Sequence, residues 1–149
     1  MDKKNSKNIQ TVLEILQDEV SGDVRSALKK MTKEYTMTWV YKSGDNFFPT
    51  EKVNLKDDLE DVYPIKGREY DIRNIAEGKN VVMIELIESY PDPETKKVYR
   101  TPVVLVLEMK NGKINTGRHY CDPRLSFEHL SKSKVEKAFK KSKSKKVIK

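Results

Sequence analysis

The chain has 149 residues, of which 36% are hydrophobic and 36% charged, with a formal net charge of +7. That length suits one core rather than two, and the apolar content is too high for an unfolded chain. The longest apolar run, residues 103–107, is too short for a membrane span or a signal peptide, and Cys121, the one cysteine, leaves no internal disulfide. These features lead us to expect a cytoplasmic protein.

Ile9, Val12, Leu13, Ile15, Leu16 and Val20 recur at spacings of three and four, the period of an amphipathic helix. Ser6 stands where an N-cap is needed, and Gly22, after Ser21, supplies a C-terminal stop. Asp23 then caps a second helix with Val24, Ala27, Leu28 and Met31 on its buried face. From Glu34 the period drops to two, with Tyr35, Met37, Trp39 and Tyr41 on one face of a strand. Gly44, Asp45 and Asn46 close that strand, residues 55–62 read as a short third helix, and Pro64 and Gly67 mark a break.

Strands are expected next over 68–76, 81–90, 98–109 and 114–121, joined by turns at 77–80, 91–96 and 110–113. The last turn holds Asn111-Gly112, the strongest hairpin signal in the chain. Helices followed by a run of strands predict an α+β fold.

The positive charge is confined to one end. Residues 131–149 carry nine lysines and one acid, Glu136, whereas the preceding 130 residues sum to −1. Residues 1–130 are therefore read as the domain and 131–149 as a lysine-rich C-terminal tail, in which Val135, Ala138 and Phe139 offer a weak helical stripe. The tail is either a solubilising extension or a sequence-independent contact for phosphates. Nucleic acid is expected as a partner only through it, and no membrane partner is expected.

The segments EGKNVVMIELIESY and TKKVYRTPVVLVLEMKNGKINTGRHYCDP, with the Ser21-Gly22-Asp23 helix turn, resemble the nuclear transport factor 2-like (SnoaL-like) superfamily. The resemblance runs over about residues 8–128 and rests on the order and spacing of these features. It includes Asn-Gly-Lys-Ile at 111–114 and the run Arg118, Tyr120, Asp122. It implies a cone: a curved antiparallel sheet wrapped around about three helices, with a central apolar pocket. It also implies a homodimer, since members often pair through the outer sheet face, a possible use for Arg118 and Tyr120.

Members that are enzymes, such as ketosteroid isomerase, polyketide cyclases and limonene epoxide hydrolase, use a carboxylate in that cavity for acid–base work. The resemblance puts His119 where the epoxide-hydrolase type has its catalytic Asp, and Leu86 nearest the position of its partner arginine. Imidazole titrates near neutrality, so a partly buried His119 suits a general base; a satisfied structural histidine is the other reading. Glu85 and Glu88 are three apart in a strand and point to opposite faces, so only one can assist His119. The other reading makes them solvated, or paired with Arg100 or Arg118. Tyr35, Trp39 and Tyr41, with His119, form the candidate ligand wall, against plain core packing.

Two histidines and one cysteine make no typical zinc site, and no phosphate loop, nucleotide fingerprint or nucleophile elbow is present, so neither metal nor cofactor is expected. The leading expectation is a domain that binds a small hydrophobic molecule. The alternatives are an isomerase, cyclase or hydratase with His119 as general base, and a scaffold or adaptor whose basic tail contacts nucleic acid.

Overall fold

The computed structural model describes residues 5–40, 42–43, 46–47, 64–122, 124–125, 128–140 and 142–149. Helix α1 (Lys7–Ser21) starts where the Ser6 hydroxyl accepts from the Ile9 amide, and it ends at Gly22 in the left-handed conformation, φ 74°. The Asp23 amide reaches back to the Asp18 carbonyl at 2.8 Å, which closes a Schellman turn around Gly22. Asp23 then caps α2 (Val24–Lys29) by accepting from the Ser26 amide at 2.9 Å.

The remaining chain builds a six-stranded curved sheet from β1 (Met31–Trp39), β4 (Glu69–Glu77), β5 (Val81–Pro91), β6 (Val98–Lys110), β7 (Lys113–Tyr120) and β8 (Lys146–Ile148). A separate two-stranded ribbon pairs β2 (Lys42–Ser43) with β3 (Asn46–Phe47). The sheet order is β1-β7-β6-β5-β4-β8, and it does not close on itself. Each hairpin expected between residues 68 and 121 is present, with bounds within two residues.

The sheet is mixed rather than wholly antiparallel. The neighbours from β7 across to β8 run antiparallel, whereas β1 joins β7 in parallel, with Trp39 opposite His119. The helical reading of Met31 is also corrected: it opens β1 opposite Ile114, held there by the bond from the Ile114 amide to the Lys30 carbonyl at 2.9 Å. An apolar residue next to a helix end fits either period, and here the sheet edge claims it.

The α1 side chains Val12, Leu13, Ile15 and Leu16 are buried against the concave face of the sheet. Along that face, alternate residues point inward: Tyr70 and Ile72 from β4, Ile84 and Leu86 from β5, and Val103, Leu105 and Leu107 from β6. Gly117 of β7 completes the surface by having no side chain, because a Cβ there would lie 2.7 Å from Met37 Cε.

The segment 131–149 is folded onto the sheet. Ser131 caps α3 (Lys132–Ala138), Val135 is buried, and β8 pairs with β4 to place Ile148 in the core. Burying two such apolar side chains contributes about 1.5–3 kcal/mol each, which offsets ordering of a lysine-rich stretch. The described lysines of this segment all stay exposed. The expected helix over 55–62 and Tyr41 lie outside the described residues. Among the described residues, no helix is long and apolar enough to cross a membrane.

Candidate functional site

Between α1 and the concave face lies a cavity of about 360 Å³. Its walls are mainly apolar: Leu16 from α1, Met37 from β1, and Leu86, Val103 and Leu105 from the sheet are among its lining residues. Tyr35, Trp39, Tyr70 and Tyr90 add aromatic faces.

One polar cluster interrupts this surface. Arg68, just before β4, turns inward in phase with Tyr70 and Ile72, and its side chain is only 4% exposed. Arg68 Nη1 donates to Glu88 Oε1, pairs with Glu19 Oε1 at 3.1 Å and reaches the Tyr70 hydroxyl at 3.5 Å. The Tyr70 hydroxyl also favours the ionised Glu19 carboxylate, against the burial that raises it. The Arg68 guanidinium also lies 5.3 Å from the centroid of the Tyr90 ring.

Burial dominates the electrostatics here. It pushes the Glu88 carboxyl up to about 7, against the opposing pull of Arg68, with Glu19 as a like-charged neighbour. It raises Glu19 in the same way, and Arg68 again opposes it. Burial, followed by the Glu19 charge, lifts the Tyr35 phenol above its usual value. The Cys121 thiol is also raised, by burial first and by Glu88 second.

Neither a protein-family model nor a curated protein matches the sequence. Solved structures do match in fold. An NTF2-like protein of unknown function from Cytophaga hutchinsonii superposes with a TM-score of 0.62 at 17% identity, covering 86% of this chain and 100% of that one. An LEH-like epoxide hydrolase from M. tuberculosis gives 0.63 at 16% identity, covering 93% and 99%. The epoxide hydrolase/cyclase-like enzyme SalBIII, with a role in pyran ring formation in salinomycin, gives 0.65 at 15%, covering 79% and 92%. The fold is nuclear transport factor 2-like. At these identities the likeness establishes architecture, and function has to be argued from the side chains that this chain puts inside it.

In this nuclear transport factor 2-like frame, Tyr35, Trp39, Glu88 and His119 line the cavity, as does Met37. Glu85 does not. It lies on the convex face and accepts from Asn74 Nδ2 at 2.6 Å, so the opposite-face rule decides between the two glutamates. Arg118 pairs with Glu108 at 2.8 Å rather than with either of them.

His119 and Glu88 occupy different parts of the wall. His119 is opposite Leu105 of β6 and Glu88 is opposite Thr101. Four residues of strand separate those rows, about 13 Å at roughly 3.3 Å per residue. The strand register therefore sets His119 and Glu88 apart. Burial lowers the imidazole to about 4, so it is neutral at physiological pH, and its buried Nδ1 has no hydrogen-bond partner among the described residues.

Glu19, Arg68 and Tyr70 were missed as site residues. Their signal is one of phase. Glu19 falls seven residues after Val12 and three after Leu16, on the apolar face of α1, and Arg68 shares the inward phase of β4.

Proposed function

We propose that this protein binds a small, largely apolar molecule in the cavity beneath α1, with one polar group of that molecule on the Glu19–Arg68–Glu88–Tyr70 cluster. The observation that carries this reading is the combination of a cavity of about 360 Å³ with mainly apolar walls and one convergent polar cluster. Ligand sites take that form, with apolar area supplying affinity and a few placed polar groups supplying orientation. Trp39, Tyr35 and the neutral His119 imidazole serve as wall contacts.

The test is native mass spectrometry of the purified chain together with a thermal-shift screen of apolar metabolites. A bound or stabilising molecule is expected in the wild type. Its effect should vanish in Val103→Phe, whose larger side chain fills the cavity, with the fold checked by circular dichroism. No stabilising compound and no co-purified molecule would overturn the reading.

A second reading, in which the chain is an enzyme moving a proton, is favoured by one arrangement: Glu88 lines the cavity in contact with Arg68, where burial raises its carboxyl to about 7. Both protonation states are then populated at working pH, which general acid–base catalysis needs. In that reading the acid–base group is Glu88 rather than His119, and Arg68 and Tyr70 fix its orientation. Turnover of any identified ligand that survives Glu88→Gln would remove it.

A further inference from the structure

Resting on the binding reading above, the geometry points to an apolar amine as the molecule that the cavity takes, its ammonium group lodged against the carboxylates of Glu88 and Glu19. The first argument is what the cavity presents. Arg68 is almost wholly covered, its side chain 4% exposed, whereas Glu19 and Glu88 keep 18% and 17% of theirs and both line the cavity. A ligand entering the cavity therefore has more of the Glu19 and Glu88 side chains open to it than of Arg68.

The second argument is charge. Among the described residues lining the cavity, the ionisable groups of fixed sign are two acids and one base, with no lysine. When both carboxyls are ionised the cluster carries one surplus negative charge, which an ammonium neutralises and a carboxylate ligand would double. A buried charge without compensation is costly, so this sign difference selects strongly.

The third argument is the wall. Tyr35, Trp39, Tyr70 and Tyr90 face the same space, and the electron-rich faces of such rings attract cations, as the placement of Arg68 over Tyr90 already shows. An apolar body on the aliphatic side chains and a cationic head among rings and carboxylates satisfies the whole surface.

Binding would be linked to protons. The charged and titratable groups facing Glu88 are Glu19 from α1, Arg68, Tyr70 from β4, Tyr90 from its own strand and the Cys121 thiol after β7. Burial raises both carboxyls, Glu88 to about 7, so an incoming ammonium displaces the Glu88 proton below that pH and meets a ready carboxylate above it.

The experiment uses calorimetry on the full chain with three probes that share one apolar body: phenylbutylamine, phenylbutanol and phenylbutanoate. At pH 8 the amine should bind about tenfold or more tighter than the alcohol, and phenylbutanoate weakest of all. Affinity for the amine should fall about fivefold between pH 7 and pH 6, with uptake of the displaced proton by buffer. In Glu88→Gln the amine should lose its advantage while alcohol binding persists, which shows an intact cavity; Glu19→Gln should do the same to a smaller degree. Amine and alcohol bound equally, or phenylbutanoate bound as tightly as the amine, would overturn the amine assignment and leave the binding reading standing. Binding of none of the three would overturn both.

Discussion

Two arginines, Arg68 and Arg73, stand five residues apart in the chain and are solved in opposite ways by the fold. Each side chain is almost fully covered, and each meets two carboxylates: Glu19 and Glu88 for Arg68, Asp71 and Glu136 for Arg73. Arg68 faces the concave side, where its partners line the cavity and burial drives Glu88 up to about 7. Arg73 sits at a register shift in β4 and is covered by the C-terminal segment. There it donates to the Ser142 carbonyl at 3.0 Å and lies 5.6 Å from the Phe139 ring. Its partner Glu136 keeps 48% exposure, and the hydrogen bond from Arg73 holds that carboxyl below its usual range. The same ion set thus acts as a clasp where solvent reaches the acids and as a proton-responsive site where burial raises them.

Removing the two guanidiniums should separate the roles most strongly. Arg68→Met strands two carboxyls in the cavity and should cost about 3–5 kcal/mol at pH 8 by urea denaturation, with a smaller loss near pH 5, where Glu88 holds its proton. Arg73→Met leaves Glu136 solvated and Asp71 partly so. It should cost about 1–2 kcal/mol with little change between those pH values, together with faster amide exchange over residues 132–148. Equal pH dependence in the two variants would erase the distinction.

The next effect concerns Glu88 alone. In the folded chain its carboxyl keeps a proton to about pH 7, whereas an unfolded glutamate releases it near 4.5. Between those values the folded state binds more protons, so this group's contribution to stability falls as pH rises through the window, by about 1.4 kcal/mol per pKa unit. Denaturation of Glu88→Gln across the same range should lose most of that slope and leave the variant the more stable protein at pH 8. A wild-type profile that is flat, or that rises with pH through the window, would contradict the shielded cavity.

The smallest change tests the cavity floor. Gly117→Ala puts a methyl within 2.7 Å of Met37 Cε, the far end of a flexible side chain, and should cost about 1 kcal/mol. Combining it with Met37→Ala should show coupling, since the second change removes the clash.

Much of this fold was legible because it is punctuated locally. Gly22 and Asp23 mark both sides of the α1–α2 turn, and Asn111-Gly112 marks the β6–β7 hairpin, so neighbours in sequence disclose their pairing. The parallel docking of β1 on β7 and the addition of β8 to β4 have no such signal, because they are decided by which sheet edge remains open. In the site, strand phase put Glu85 and Glu88 on opposite faces but left open which looks inward, and it offered Trp39 and His119 for the wall, where both lie. Glu19 and Arg68 were not recognised. A charged residue in an apolar phase looks like a helix or strand end until its distant partner is known, and here Glu19 and Arg68 are brought together only by the tertiary fold.

The most direct measurement is nuclear magnetic resonance of side-chain groups while phenylbutylamine is added at pH 8, following Arg68 Nε–Hε and Glu88 Cδ together with Arg73 Nε–Hε and Glu136 Cδ. The inner pair should shift with saturation while the outer pair stays in place. Movement of the outer pair instead, or no saturable movement of the inner one, would contradict a ligand site built around Arg68.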